Sequence, residues 1–186
     1  MFLLLLFVLI PLFGGVLAFL LPRTYARSVA IIFSSLAFAL GLLTLPLFRL
    51  GHEGFQFLYQ KSWVSSLGIS FKFGADGLSY PLILLTLFLG LIATLIPFPH
   101  MVDGNLDKKE RAYWGMLLLL TGSIVGVFAS LDLFVFYVFW EIVLVLMFFL
   151  IMLWGGENRR YAAMKFFIYT QAASLIMLIA IIALAL

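Results

Sequence analysis

Long apolar stretches separated by short polar segments run through the whole chain. A helix rises about 1.5 Å per residue, so about 20 apolar residues cross the hydrocarbon core of a bilayer. Six stretches of about this length predict six transmembrane helices. The predicted spans are 2–21, 28–48, 78–97, 111–129, 132–154 and 161–186. The pattern predicts an all-α polytopic membrane protein in which residues 1–186 form a single transmembrane domain.

The long polar segment, residues 49–77, has a different pattern. Residues 69–73 alternate with a period of two, and residues 55–59 are rich in aromatic side chains. Such alternation is typical of a strand, so this loop is predicted to form a β-hairpin on the outer surface. Asp76 and Asp132 each stand just before a predicted helix, where a carboxylate caps free backbone amides.

Composition agrees with a membrane location. The chain is 66% hydrophobic and 10% charged, whereas soluble domains carry roughly 25% charged residues. There is no cysteine, which excludes disulfides, iron–sulfur clusters and thiolate metal sites supplied by this chain. His52 and His100 both lie in predicted loops, so they predict neither a helical metal pair nor a haem site. The net charge is only +3, and no basic run indicates nucleic acid.

The distribution of lysine and arginine predicts the orientation. The loops after the first, third and fifth spans carry seven of the eleven basic residues, the opposite side carries three, and the eleventh is Lys165 within the sixth span. The seven are Arg23, Arg27, Lys108, Lys109, Arg111, Arg159 and Arg160, and the three are Arg49, Lys61 and Lys72. Both termini are therefore predicted outside, which in a bacterium is the periplasm.

Glu141 is the main candidate for chemistry, because it stands near the middle of the fifth span among apolar residues. A charged carboxyl group at that depth costs on the order of 2.5–3.5 kcal/mol by insertion scales, and intramembrane acids usually mark an ion or proton path. The alternative is a protonated carboxyl group that packs against a neighbouring backbone.

The sixth span contributes further polar candidates, namely Lys165, Thr170, Gln171 and Ser174. Lys165 is near one end of the span, where a lysine can extend to the headgroups instead of facing a channel. The other three either continue a polar path inward or form ordinary interhelical hydrogen bonds. Gly122 and Gly126 in the fourth span belong to a small-residue pattern that predicts close helix packing.

Three motifs together resemble a known family. They are DLFVFYVFWE at 132–141, WGG at 154–156 and YAAMKFFIYT at 161–170, and FGADGLS at 73–79 adds a fourth similarity. They resemble the proton-channelling M subunit of bacterial NADH:quinone oxidoreductase, respiratory complex I. The wider family includes Mrp-type sodium/proton antiporters and membrane subunits of some hydrogenases.

The resemblance implies a function and a fold. Glu141 would be a channel residue in a buried polar axis, with Lys165 also in the proton path. The family fold has about fourteen membrane helices of the roughly 20 residues that a bilayer needs, and this chain resembles its N-terminal six. The lysine that partners the glutamate lies on the next helix and has no counterpart here. The chain is therefore expected to be a fragment, a partly traced subunit or half of a split protein.

The resemblance thus implies a proton-translocating subunit of NADH:quinone oxidoreductase in the bacterial inner membrane, with no redox chemistry or cofactor of its own. FMN, iron–sulfur clusters and quinone are expected on other subunits. Its partners would be other membrane subunits, including other antiporter-like ones, and the lipid bilayer. The alternatives are an Mrp-type antiporter or membrane-hydrogenase subunit and, from another class, a six-span structural or assembly subunit.

Overall fold

A computed structural model describes residues 3–49, 51, 54–64, 69–96 and 106–185. These described residues form six helices and one two-stranded hairpin, which confirms the predicted fold class. The helices are α1 (Leu3–Leu20), α2 (Arg23–Thr44), α3 (Ser79–Leu95), α4 (Leu106–Ala129), α5 (Leu133–Trp154) and α6 (Arg159–Ala185). The strands are β1 (Gln56–Val64) and β2 (Ile69–Ala75), and a 3₁₀ turn (Leu45–Leu47) follows α2. His52 and His100 lie outside the described residues.

Three helices begin before the membrane spans predicted for them. The α2 helix begins at Arg23 instead of residue 28, α4 at Leu106 instead of 111, and α6 at Arg159 instead of 161. The prediction followed hydrophobicity, but polar and basic residues readily form the first turn of a helix where it meets the headgroups. Five of the described helices are long and apolar enough to cross a membrane. The α3 helix has 17 residues and is therefore only about 25 Å long.

The α4 helix is the centre of the bundle, because it packs against α1, α2, α3 and α5. Trp114 and Val125 of α4 are fully buried. A Cβ atom at Gly122 would lie 2.9 Å from Leu12 Cγ, and one at Gly126 would overlap the ring of Phe139. The small residues of α4 therefore allow close approach of α1 and α5, as predicted. The α5 helix in turn packs on α6, which lies at the edge of the bundle.

The hairpin is attached to the turn between α4 and α5. Its antiparallel strands pair Tyr59 with Phe73, and the amide of Leu131 donates to the carbonyl of Lys72 at 2.8 Å. Asp132 joins both elements: Oδ1 accepts from the amides of Phe134 (2.9 Å) and Val135 (3.2 Å), and Oδ2 accepts from the Ser70 amide at 2.9 Å. The predicted cap is confirmed, and it also fixes where α5 begins.

The Asp76 cap is also confirmed. Its Oδ1 accepts hydrogen bonds from the amides of Leu78 (3.1 Å) and Ser79 (2.7 Å), and the Ser79 hydroxyl accepts from the Asp76 amide at 2.9 Å. The Ser79 amide is the main reason that the pKa of Asp76 lies below its ordinary value of 3.8. This reciprocal pair turns the chain from β2 into α3.

Candidate functional site

Glu141 is the ninth residue of α5, about 12 Å along the axis from the first residue of the helix and about 20 Å from the last. Its partly buried side chain points to α6. Gln171 Nε2 donates to Oε2 of Glu141 at 3.2 Å, and the Ser174 hydroxyl donates to Oε1 in a short hydrogen bond. An acid deep in the membrane region is thus bound by two polar side chains of the neighbouring helix.

Tyr137 completes this group. It precedes Glu141 by four residues, so the two side chains are neighbours on one face of α5. The Tyr137 hydroxyl is within hydrogen-bonding range of both the Glu141 carboxyl group and the Ser174 hydroxyl. We call Tyr137, Glu141, Gln171 and Ser174 the Glu141 cluster. Sequence reasoning did not identify Tyr137, although its four-residue spacing from Glu141 was a usable signal.

The positions on α6 explain why Gln171 and Ser174 reach the same carboxyl group. They are three residues apart, which places them on one face of a helix, and Ser174 is 2% exposed. Hydroxyl groups both donate and accept hydrogen bonds, and an amide carries a donor and an acceptor. The cluster can therefore satisfy Glu141 as a carboxylate, which only accepts, and as a carboxylic acid, which also donates.

An aromatic contact lies beside the cluster. The rings of Phe148 on α5 and Phe167 on α6 are 5.0 Å apart. Phe148 follows Glu141 by two turns and Phe167 precedes Gln171 by one, so both rings lie between the cluster and the loop that joins the helices. This side of the carboxyl group therefore has an apolar contact between the two helices.

Two predicted site residues are not in the cluster. Lys165 is exposed, and its ammonium group lies 5.8 Å from the ring centroid of Tyr161 on the same helix. Nine residues separate Lys165 from Ser174, about two and a half helical turns, so their side chains leave α6 on opposite sides. The Thr170 hydroxyl donates to the carbonyl of Phe166 at 2.7 Å. Among the described residues, no hydrogen-bonded path therefore runs from Lys165 through Thr170 to Glu141.

The part of the chain that the structure describes contains no group of three or more His, Cys, Asp or Glu residues that could hold a metal ion. The four members of the cluster include one acid. Its chemistry is that of one carboxyl group surrounded by neutral hydrogen-bonding partners.

Residues 130–186, which contain the whole cluster, match the family described as "NADH:quinone oxidoreductase/Mrp antiporter, TM". Subunit M of F(420)H(2) dehydrogenase from Methanosarcina mazei is 37% identical over 178 residues, which are 95% of this chain and 35% of that subunit. An NAD(P)H-quinone oxidoreductase chain 4 of a Synechococcus species is 42% identical over 135 residues, covering 73% of this chain and 24% of the relative.

A solved structure is similar as well. In respiratory complex I from Thermus thermophilus with bound NADH, one chain superposes with a TM-score of 0.78 and 32% identity. The match covers 95% of this chain and 34% of that one. This chain therefore spans about a third or less of the length of the relatives described here.

Proposed function

Because this chain belongs to the antiporter-like membrane-subunit family of NADH:quinone oxidoreductases and Mrp antiporters, we propose that it takes part in proton translocation by a quinone oxidoreductase complex. The observation that carries the proposal is the Glu141 cluster, a titratable group within a membrane helix with three polar partners. The family assignment agrees with the resemblance in the sequence motifs.

The energies involved favour a group that can change protonation state. A charged carboxyl group deep in a bilayer costs about 2.5–3.5 kcal/mol by insertion scales. A hydrogen bond to a charged group contributes about 1.5–3 kcal/mol, and Glu141 accepts two from α6. These opposing terms are similar in size. A moderate change in the electric field around Glu141 would then be enough to load or release a proton.

In this proposal the electron transfer occurs elsewhere in the complex, and the chain holds no flavin, iron–sulfur cluster or quinone. Its partners are other membrane subunits, including antiporter-like ones, together with lipid. We place it in the bacterial cytoplasmic membrane as one transmembrane domain. Seven basic residues against three support both ends on the periplasmic side. The relatives that resemble this chain include a subunit of a multisubunit respiratory complex.

The test is Glu141→Gln in the intact membrane complex. Proton uptake into sealed vesicles, measured with a pH-sensitive dye, and electron transfer from the complex's own donor are recorded together. Loss of at least about tenfold in proton uptake is expected, because the amide cannot bind and release a proton near neutral pH. Glu157→Gln is the matched control, since Glu157 is exposed in the loop between α5 and α6. Normal pumping in assembled Glu141→Gln complex would reject the proposal and favour a structural subunit.

A second candidate follows from the family description, which names Mrp antiporters together with the oxidoreductases. An antiporter would exchange protons for sodium without a redox donor. Measuring proton flux in sealed vesicles with a sodium gradient and no electron donor separates the two. Flux that depends on sodium and on Glu141 would assign the cluster to antiport, while flux that depends on the donor would assign it to the oxidoreductase.

A further inference from the structure

A basic cavity lies at the end of the bundle where α2 and α4 begin. Its volume is about 710 Å³, and it is separate from the Glu141 cluster, with which it shares no residue. We call it the arginine cavity. Its lining residues are Pro22, Arg23, Thr24, Arg27, Ser28, Glu110 and Arg111. The lining comes from the α1–α2 connection, the start of α2 and the first turns of α4, so the tertiary fold creates it.

The charges of the lining do not balance. It contains three arginines and one acid, Glu110. Glu110 is paired with Arg23, which leaves Arg27 and Arg111 without a carboxylate among the lining residues. Their described hydrogen bonds go to main-chain carbonyls: Arg27 Nη2 donates to Leu95 O at 3.1 Å, and Arg111 Nη1 is 3.5 Å from Leu21 O. Among the described lining residues, the positive charges therefore exceed the negative charges by two.

Arg27 has unused capacity for a ligand. Its Nε atom is buried and has no hydrogen-bond partner among the described residues. Its guanidinium group is 5.7 Å from the ring centroid of the buried Trp114, which holds the side chain in place from one side. A guanidinium group presents several donors in a fixed plane and binds phosphate oxygens well.

The level of the cavity matches a membrane surface. Exposed Tyr25 is one residue from its lining, and the ring of Tyr113 contacts that of Trp154 at the same end of the bundle. Tyrosine and tryptophan concentrate where helices meet the headgroups. Basic pockets between transmembrane helices at this level bind anionic lipid headgroups.

We propose that the arginine cavity binds the phosphate group of an anionic phospholipid, with Arg27 and Arg111 as its ligands. The ligand chemistry is a phosphate anion with net negative charge, which the guanidinium groups of Arg27 and Arg111 would attract. The inference does not depend on proton translocation by Glu141. It would give this end of the subunit a lipid that bridges α2 and α4.

A second cavity supplies a matched control. It has a volume of about 810 Å³ and is lined by residues 155–161 alone. Arg160 belongs to it and is a basic residue at the same end of the chain's fold. The loop between α5 and α6 and the first turn of α6 form this second cavity. Arg160 therefore tests the effect of a basic charge at a site that two packed helices do not form.

The experiment uses the membrane complex purified in non-ionic detergent and depleted of lipid. Phosphatidylglycerol with a photoactivatable acyl chain is titrated into the complex and cross-linked by light. Mass spectrometry then measures the cross-links on peptides that contain residues 22–28 or 110–111. Arg111→Gln should weaken this cross-linking about tenfold, the effect of losing a charge-assisted hydrogen bond. Arg160→Gln should change it less than about twofold. Arg27→Lys, which keeps the charge but not the planar donor set, should give an intermediate loss.

Competition identifies the source of the phosphate. Unlabelled phosphatidylglycerol, but not phosphatidylcholine, should displace the probe, because the second lipid has no net charge. If inorganic phosphate alone displaces the lipid probe at a similar concentration, the cavity binds phosphate, and its ligand is a dissolved phosphate ion instead of a lipid headgroup. Equal displacement by phosphatidylcholine would overturn the proposal. Unchanged cross-linking in folded Arg111→Gln complex would also overturn it, as would an equal loss in Arg160→Gln.

Discussion

Replacing Asp132 by alanine should destabilise the protein more than removing any other single helix cap described above. Asp132 accepts three main-chain hydrogen bonds. Losing an N-cap carboxylate costs about 0.5–2 kcal/mol. The Ser70 amide, which is partly buried, would also lose its acceptor, at about 1–3 kcal/mol. The expected total is about 1.5–5 kcal/mol of unfolding free energy.

Asp76 is the matched control, because among the described residues its carboxylate accepts only from amides of its own turn. Asp76→Ala should therefore cost only about 0.5–2 kcal/mol. Asp132→Asn should recover only the cap part of the loss, since its amide oxygen can still accept at the cap while its amide nitrogen cannot accept from the Ser70 amide. Unfolding free energies come from denaturant titration in mixed micelles, and hydrogen exchange reports the Ser70 amide directly.

The reasoning predicts faster exchange of Ser70 in Asp132→Ala and unchanged exchange in Asp76→Ala. Equal destabilisation by the two alanine variants would refute it, as would unchanged protection of Ser70 in Asp132→Ala. Either result would mean that the hairpin holds the start of α5 without the carboxylate. Since α5 carries Glu141, the same variant should also reduce proton uptake if the position of that helix matters for the site.

Substitutions at Lys165, Ser174 and Asp76 test separate parts of the account. Lys165→Ala should reduce proton uptake less than Glu141→Gln does, and Lys165→Arg should leave it nearly normal. Equal and severe losses in both Lys165 variants would contradict the exposed position of this side chain. Ser174→Ala removes one hydrogen bond to Glu141 and should slow proton uptake while leaving assembly intact, as seen by native electrophoresis. The pKa of Asp76 is lowered, chiefly by the Ser79 amide. The ionised carboxylate therefore stabilises the folded protein above about pH 4, and this stabilisation is lost as pH falls through the lowered pKa. The difference in unfolding free energy between wild type and Asp76→Ala should shrink over the same fall in pH.

The number and type of elements could be predicted because the bilayer imposes a length on each apolar run. The period-two pattern at residues 69–73 identified β2 for a similarly local reason. Helix ends were less predictable. Arg23 looks like a loop residue by hydrophobicity, yet it begins α2, because a basic side chain can extend into the headgroups from a helical turn.

The site was predictable in part. Glu141 was conspicuous because a carboxyl group in an apolar span has a definite energetic cost. Ser174 and Gln171 were identified as polar residues of the next span, but their contact with Glu141 depends on how α6 is rotated about its axis. That rotation is a tertiary property, and it also turns Lys165 away from the cluster. Tyr137 was not identified because it stands in an aromatic run that suggests simple packing.

The central claim is that Glu141 itself binds and releases the proton, and infrared difference spectroscopy tests it most directly. Spectra of the membrane complex would be recorded in the oxidised and reduced states, in the region of the protonated carboxyl stretch. We predict a difference band that shifts in Ser174→Ala, where one hydrogen bond to the carboxyl group is lost, and disappears in Glu141→Gln. Glu157→Gln should leave the band unchanged. An identical band in wild type and Glu141→Gln would contradict the claim.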